Sequence, residues 1–590
     1  MIKIQSANHF AALVYGLKPI RQQKSRAFQN GGGKVNTFPF GFGELRISWE
    51  KQKIDALFTA NSEFFLREIS FGFNFHSFRP SSETVLWSES YSDVFPTKSN
   101  HPIPSTLSTK PVKDGAWALW LSESPNAEGI FFSQPPPASI PIHFFAHPGK
   151  RELRMKWTLN RTVSEGETII LPAIKISTGA LEKETRSWRK KWSALSRREP
   201  LTDRRIGWCA GRELKSPKEL REMLGALKTV KPRFEWFAVG PQYAVAPGDW
   251  LIPSIPFKDH MGSLSRSINE FSMGPALRLA PFLVSSKSTM AVEKRDWLVK
   301  SNNGSPVSVP GYAGDRALSY VLDITHNAVV SHIHHMFTVM RDRWGFRSFI
   351  IERMMDSAVA GIRQDGLLEI GNLLVKAAMT IRNSVGNKVM LSASDLPLLT
   401  TPGIWNSQSV VPISDLFPAN SFHYQKSMSA ASAMLHRSRW KDSGLVLCSG
   451  LLPIQLFGAD YGTAAQTMLN AVALVTGMIM LSGDPRSMDR ETAKVLENFL
   501  SLSEECRKGK LNILPNLNGG RVVPLVVRND RGWVALFNFS EKKKSVSLDR
   551  TGMKSELGIL SSLSTGDGSV YNSPEIDVTL PPYGYRLFRA

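Results

Sequence analysis

An ordered series of short hydrophobic runs between Ile206 and Ser409 constrains the fold of this chain more than any other feature. The runs read IGWCAG, FAVGPQYAVAPGDW, RLAPFLVSSKS, LDITH, WGFRSFIIERM and LPLLTTPGIWNS. Each resembles a buried strand that ends in polar, glycine or proline residues, and most of them precede a helix-like stretch. This alternation predicts a (β/α)8 barrel, in which functional side chains lie at the carboxyl ends of the strands.

The segments on either side of this series are predicted to be β domains. Short aromatic runs separated by Gly, Pro, Asn and Ser fill the first 185 residues, and strand-like runs such as VVPLVVRN and GWVALFNFS return near the C-terminus. Such runs are typical of antiparallel sheets. We therefore predict an N-terminal β-sandwich over 1–185, a barrel over 186–505 and a small C-terminal β-sandwich over 506–590. The stretch KETRSWRKKWSALSRR predicts a helix that packs Trp188 and Trp192 on one face.

The composition is that of a globular protein with an excess of basic residues. Lys and Arg number 72 against 51 Asp and Glu, a formal net charge of +21. The excess is spread thinly, because its densest runs, 189–191 and 542–544, are only three residues long. A nucleic-acid-binding function would rest on net charge alone, so we do not expect one.

The cysteines and apolar runs favour a cytoplasmic protein. Cys209, Cys448 and Cys506 are far apart and form neither a CxxC pair nor a metal-ligand spacing. The apolar stretch at 10–14 is too short for the core of a signal peptide. No run approaches the roughly 18 apolar residues of a membrane span. We therefore expect no membrane partner, and the oligomeric state is not predicted by these features.

Several motifs resemble, in wording and in order, those of the α-galactosidase and raffinose-synthase type of glycoside hydrolase. They are IGWC at 206–209, GDW at 248–250, RLAPF at 278–282, DWL at 296–298, LDIT at 322–325 and SGD at 482–484. The resemblance implies a carbohydrate partner and an ancestry in the hydrolysis or transfer of α-linked galactosides. Because that chemistry uses carboxylates alone, no metal or organic cofactor is expected. Sugar contacts are implied for Tyr243, Asp249, Trp250, Asp395 and Asp442.

The positions at which these enzymes carry catalytic acids depart from the family pattern. Retaining glycosidases use two carboxyl groups about 5–5.5 Å apart, one as nucleophile and one as acid/base. The family's nucleophile aspartate falls on Glu352, and the lysine two residues before it falls on Ile350. Its acid/base aspartate falls on Asn406, whose amide cannot act as a general acid. The sugar-binding Asp-Asp-Gly of the family falls on residues 240–242, Gly-Pro-Gln.

Three hypotheses about function follow. The leading one is a relative of the α-galactosidases with a degenerate or altered catalytic site. The second is a working glycosidase that uses Glu352 with a relocated acid, for which Asp356, Asp395, Asp415 and Asp442 are candidates. The third is a non-catalytic carbohydrate-binding protein on a barrel scaffold. Glu352 is equally suited to a purely structural pairing with Arg353 or another cation of the barrel mouth.

Overall fold

The computed structural model describes the chain in a series of ranges, which together cover most of its residues. The described residues are 10–18, 21–29, 35–50, 52–74, 85–89, 112–124, 127–136, 140, 142–147, 152–195, 205–312, 314–394, 396–409, 431, 434–435, 437–438, 440, 446–458, 462–507, 509, 511–514, 525–530, 532–549, 560–562, 570–571 and 575–589.

The N-terminal part forms two antiparallel sheets that pack face to face. The first sheet has the order Arg21–Gln29, Phe10–Lys18, Phe64–Asn74, Glu152–Val163, Ile142–His147 and Val112–Ala116. The second has the order Val35–Phe40, Gly43–Glu50, Lys53–Ala60, Thr168–Gly179, Gly129–Ser133, Ala118–Ser122 and Val85–Glu89. Strands such as Lys53–Ala60 alternate buried and more exposed residues, as expected when one face of a sheet covers a core. Phe71 and Trp157 from the first sheet share that core with Leu45 and Phe58 from the second.

Eight parallel strands close into a barrel in the centre of the chain, which confirms the fold predicted from the motif series. In order around the barrel they are Ile206–Cys209, Trp236–Val239, Gly274–Leu279, Ser348–Ile351, Met390–Ala393, Ser407–Ser409, Leu447–Pro453 and Met478–Ser482. We number them as the first to the eighth barrel strand. A three-stranded sheet made of Leu283–Ser285, Ser319–Val321 and Ser308–Val309 is inserted between the third and fourth barrel strands.

Helices alternate with most of the barrel strands. The helices described in and just before the barrel are Leu181–Ser193, Pro217–Leu227, Met261–Glu270, Thr289–Glu293, Asn327–Thr338, Ile370–Val385, Gly462–Val475 and Arg490–Arg507. The helix Pro217–Leu227 begins at an N-terminal cap formed by Ser216 and Glu219. The hydroxyl of Ser216 accepts a hydrogen bond from the amide of Glu219, whose carboxylate accepts one from the amide of Lys215. These bonds satisfy amides that the first turn of a helix leaves without partners.

The barrel interior is a packed apolar core rather than a channel. Because successive residues of a strand point to opposite sides, every second residue faces inward. Cys209, Trp236, Ala276 and Ile350 are among the inward residues of this core. A β-carbon at Gly207 would lie 1.8 Å from the ring of Trp236, so the first strand can accommodate this tryptophan only because it carries a glycine there.

The C-terminal part again forms two packed sheets. One has the order Leu511–Leu514, Leu525–Asn529, Trp533–Phe537, Tyr585–Arg589, Leu560–Ser562 and Val570–Tyr571, and the other pairs Lys544–Asp549 with Glu575–Leu580. Leu536 and Phe588 of the larger sheet pack against Val546 and Val578 of the smaller one. The architecture is therefore a central barrel flanked by two β domains. The exact boundaries at 185/186 and 505/506 stay predictions.

Buried contacts join the N-terminal sheets to the barrel. Trp188, on the helix that precedes the barrel, packs edge to face against Trp440 at a centroid distance of 5.3 Å. The carboxylate of Glu89 accepts hydrogen bonds from Nε of Arg437 at 3.2 Å and from Nε1 of Trp440 at 3.1 Å. A buried carboxylate with donors of this kind is stable, whereas an isolated one is costly to desolvate. Glu89 therefore fixes Val85–Glu89, an edge strand of the second N-terminal sheet, against the barrel.

Candidate functional site at the carboxyl end of the barrel

Glu352 lies at the carboxyl end of the fourth barrel strand and on its inward side. Ile350, two residues earlier, belongs to the apolar barrel interior, and residues two apart in a strand share a face. The amide of Glu352 still continues the ladder, because it donates to the carbonyl of Leu279 on the third strand. The carboxylate therefore emerges directly above the barrel core. This is the place at which barrel enzymes carry functional groups.

One hydrogen bond and one ion pair hold the carboxylate of Glu352. The hydroxyl of Tyr312 donates to Oε2 at 2.5 Å, and Nε of Arg278 lies 3.5 Å from the same oxygen. The side chains of Arg278 and Glu352 are each only 13% exposed, so water screens their interaction poorly. We call Arg278, Tyr312 and Glu352 the mouth cluster.

Arg278 is an inward-facing arginine on the third barrel strand. Burial on its own lowers the pKa of Arg278, but the charge of Glu352, with smaller effects from Tyr312, Cys209 and Glu213, raises it above its ordinary value. The guanidinium is therefore held permanently charged. Its Nε has no hydrogen-bond partner within the described ranges, although it is buried.

Tyr312 comes from the insertion between the third and fourth barrel strands. Its ring packs against the ring of Trp250 at a centroid distance of 6.2 Å. Burial, and after it the charge of Glu352, raises the pKa of Tyr312 well above its ordinary value. The hydroxyl consequently keeps its proton and acts as a donor to Glu352. A β-carbon at nearby Gly314 would lie 1.7 Å from Nη2 of Arg212, so this loop lies directly against the loop that follows the first strand.

The loop after the second barrel strand contributes a buried amide. Residues Pro241–Tyr243 form a 3₁₀ turn, and both side-chain polar atoms of Gln242 are buried with no hydrogen-bond partner in the described part of the chain. The amide oxygen lies over Gly240, because a β-carbon there would be 2.5 Å from it. Gly240 follows Val239, which is in register with Leu277, so the amide lies beside the strand position of Arg278.

Tyr243 and Trp250 are buried rather than presented to a ligand. Their exposed fractions are 0% and 1%, and the Tyr243 hydroxyl donates to the carbonyl of Trp250 at 3.2 Å. Tyr243 also packs edge to face against Trp344 at 5.9 Å between ring centroids. Neither ring therefore offers the open aromatic face that the sequence suggested for sugar binding. Trp250 instead packs edge to face against Tyr312.

The carboxylate of Asp249 caps the N-terminus of a short helix. Its two carboxylate oxygens accept hydrogen bonds from the amides of Thr289 at 2.9 Å and Met290 at 3.3 Å. Those amides open the helix Thr289–Glu293, where a negative side chain is favourable. Asp249 is buried, with an exposed fraction of 6%, and both its carboxylate oxygens are taken up by the helix; its sugar contact stays a prediction.

Asn406 lies before the sixth barrel strand and is not brought next to Glu352. Its backbone amide donates to the carbonyl of Leu391, and its Oδ1 accepts from the amide of Leu391 and from Nη2 of Arg382, both at 2.8 Å. The strand register places Ser394 and Ser409 level with Glu352, three residues beyond Asn406. That offset corresponds to about 10 Å along the strand. Asn406 is thus a structural residue near the opposite end of the strand from the mouth cluster.

Of the remaining acids named from the sequence, Asp356 is described by the structure, and it pairs with Arg353 rather than with the mouth cluster. Asp395, Asp415 and Asp442 lie outside the described residues. Asp356 is buried and accepts from Nε of Arg353 at 2.6 Å, so Arg353 pairs with Asp356 and Arg278 takes the place beside Glu352. Burial raises the pKa of Asp356 despite this pairing. Among the described residues, Glu213 is the second carboxylate whose charge acts on Arg278.

A weak sequence signal points to Arg278, and none points to Tyr312. Arg278 interrupts the apolar run PALRLAPF two residues after Ala276, and a charged residue at an inward strand position is rarely without a partner or a function. Tyr312 lies in the loop PGYAGD, whose glycines and proline indicate a turn. They do not indicate that the tyrosine contacts Glu352, 40 positions away.

The described residues include no group of three or more His, Cys, Asp or Glu that could hold a metal ion. In the same ranges, the helices are all too short or too polar to span a bilayer.

Comparison with solved structures places the fold among α-galactosidases. The α-galactosidase of Thermus thermophilus, solved with p-nitrophenyl α-D-galactopyranoside, matches with a TM-score of 0.57 and 16% identity over 84% of this chain and 98% of that one. The GH36 α-galactosidase AgaB of Geobacillus stearothermophilus matches with a TM-score of 0.58 and 11% identity over 100% of this chain and 89% of that one.

A third structure, the α-galactosidase of Lactobacillus brevis, has a TM-score of 0.58 and 12% identity over 98% of this chain and 84% of that one. No protein-family model matches the chain. At these identities the similarity establishes the fold and not the activity. The resemblance inferred from the motifs is confirmed at that level: the chain has the α-galactosidase-like fold, a barrel with flanking β domains.

Proposed function

We propose that this chain is a relative of the α-galactosidases whose barrel mouth does not carry out the standard two-carboxylate reaction. The observation that carries the proposal is the pairing of Glu352 with Arg278 and Tyr312. Oε2 of Glu352 already accepts from the Tyr312 hydroxyl and faces the Arg278 guanidinium, so this oxygen is less available to attack a sugar carbon. The fold shared with α-galactosidases supports the choice of substrate class.

Asn406, the residue that the motif resemblance assigns to the acid/base, brings no carboxyl group beside Glu352. A retaining mechanism needs a general acid close to the nucleophile. Asn406 cannot donate a proton in that role, and it lies about 10 Å along the barrel from the level of Glu352. The inward positions level with Glu352 on the next two strands are Ser394 and Ser409, which carry hydroxyl groups.

The test is hydrolysis of p-nitrophenyl α-D-galactopyranoside, the compound bound by the Thermus enzyme. We expect the parent protein to release no more p-nitrophenol than Glu352→Gln. Glu270→Gln is the matched control, because Glu270 is an exposed carboxylate that pairs with Arg221 far from the mouth cluster. Turnover that is retained in Glu270→Gln and lost in Glu352→Gln would overturn the proposal and establish a working glycosidase.

A second candidate function is carbohydrate binding without turnover. Hydrogen-bonding groups without partners favour it, because both polar atoms of the Gln242 amide and Nε of Arg278 are buried at the barrel mouth. Buried polar groups normally have partners, and a sugar hydroxyl can supply one. Titration with stachyose, which the Thermus enzyme binds, followed by ligand-observed NMR, distinguishes the two candidates. Binding with no cleavage product supports this function, and absence of binding contradicts it.

A further inference from the structure

Arg278 is the group of the barrel mouth whose chemistry the proposed function leaves unexplained. A degenerate site needs no cation, and an inward arginine is costly to bury unless its charge and its N–H groups are matched. Glu352 matches the charge at 3.5 Å, a distance beyond a normal hydrogen bond. The Nε donor of Arg278 has no acceptor within the described ranges. A buried donor of this kind calls for a partner that the described part of the chain does not supply.

The direction of the guanidinium follows from the strand. Ala276 and Arg278 share the inward face of the third strand, and the space below is filled by Ala276, Ile350, Cys209 and their neighbours. The charged group therefore cannot point down into the barrel. It lies at the level of the mouth beside Glu352. The Gln242 amide, in the turn after the second strand, lies over Gly240, which is level with Arg278 on the neighbouring strand.

We propose that the barrel mouth binds an acidic sugar, with the carboxylate of the sugar on the guanidinium of Arg278. The inference rests on the carbohydrate-binding function proposed above, because it assumes that this mouth binds a sugar. An arginine presents five N–H donors in a planar fork, so its edge toward Glu352 leaves other donors for a second carboxylate. Arg–carboxylate pairs are the strongest and most directional of such contacts.

The two groups beside Arg278 fit the same class of ligand. The Gln242 amide has both a donor and an acceptor without partners, which suits the hydroxyls of a sugar ring. Glu352, held by the Tyr312 hydroxyl, keeps Arg278 oriented while the ligand is absent. A neutral hexose could hydrogen-bond to the Gln242 amide, but it has no carboxylate that could form an ion pair with Arg278. A uronic-acid-type glycoside uses both groups.

A matched pair of ligands tests the inference. Methyl α-D-galactopyranoside and methyl α-D-galactopyranosiduronate differ only at C6, where one carries CH₂OH and the other a carboxylate. We expect the acidic glycoside to bind the parent protein at least about tenfold more tightly, measured by isothermal titration calorimetry at low ionic strength. Equal or tighter binding of the neutral glycoside would overturn the inference and leave the proposed function standing. If neither glycoside binds, both the inference and the carbohydrate-binding function are overturned, whereas the absence of the standard reaction is decided separately by hydrolysis of p-nitrophenyl α-D-galactopyranoside.

Variants assign the preference to one side chain. Arg278→Gln should bring the two dissociation constants to within about twofold of each other, and Arg278→Lys should keep part of the preference because it retains the charge without the fork. The control is Arg221→Gln, since Arg221 is an exposed arginine whose partner is Glu270. A preference for the acidic glycoside that survives in Arg278→Gln would overturn the assignment to Arg278. Should Arg278→Gln fail to fold by circular dichroism, the comparison with Arg278→Lys and the parent decides.

Discussion

Nε of Arg278 and Oε2 of Glu352 lie 3.5 Å apart on neighbouring barrel strands, and each side chain is 13% exposed. The register explains this proximity, because Arg278 is level with Ile350 and Glu352 follows two residues later on the same face. A pair so weakly solvated gains from its charges only while both are present, since either charge left alone pays for its own desolvation. The two residues should therefore be energetically coupled.

A double-mutant cycle measures that coupling. We expect Arg278→Met and Glu352→Gln each to lower the thermal midpoint, and the double variant to lose less stability than the sum of the two, by about 1–3 kcal/mol. Glu352→Gln keeps an acceptor for the Tyr312 hydroxyl, so it isolates the loss of charge. Additive effects of the two substitutions would show that the pair contributes nothing to stability.

Asp249 should affect stability and not ligand binding. Asp249→Ala removes the acceptor for the amides of Thr289 and Met290, so we expect a loss of about 1–2 kcal/mol of unfolding free energy. Affinity for sugars, measured well below the thermal midpoint, should stay within about twofold of the parent. Asp296→Ala, at a 68% exposed carboxylate, is the control and should leave the midpoint unchanged. Lost binding with an unaltered midpoint would restore the role in sugar contact suggested by the sequence.

Asn406, like Asp249, should affect the stability of the protein and not its ligand binding. Asn406→Ala removes the oxygen that accepts from Nη2 of Arg382 and from the amide of Leu391, and should cost about 1–3 kcal/mol. Asn406→Asp keeps the acceptor beside Arg382 and should be nearly neutral in stability. If Asn406 occupied the acid/base position, the aspartate would instead create turnover of p-nitrophenyl α-D-galactopyranoside. Such a gain of activity would contradict the placement described here.

The sequence was informative where the fold depends on local patterns. Strand-length apolar runs with polar ends, repeated in order, predict parallel strands that close into a barrel, because the pattern needs no knowledge of distant partners. The helix with Trp188 and Trp192 was predicted in the same way and is present as Leu181–Ser193. Aromatic runs separated by turn residues likewise predicted the two flanking β domains.

The candidate site could be predicted only in part, because its contacts join residues distant in sequence. Glu352 was placed at a strand end, but its partners are 74 and 40 positions away, at Arg278 and Tyr312, in a different strand and an inserted loop. The offset of Asn406 depends on where the sixth strand begins. A shift of a few residues in a strand boundary moves a side chain from the mouth to the far end of a barrel this short.

His332 makes the stability of the barrel depend on pH. Its ring packs against Trp297 at a centroid distance of 5.6 Å, and burial, followed by the positive charge of His335, lowers the pKa of His332 below its ordinary value of 6.5. The unfolded chain therefore binds this proton more readily than the folded one. The neutral ring contributes stability above the unfolded pKa, and that contribution is lost as the pH falls from about 6.5 toward the lower folded value. We expect the thermal midpoint of the parent to fall more than that of His332→Gln between about pH 8 and about pH 5.5.

The control is His334→Gln, at an exposed position of the same helix, whose thermal midpoint should change with pH as that of the parent does. Parallel pH profiles for the parent and His332→Gln would show that His332 keeps its ordinary pKa on folding.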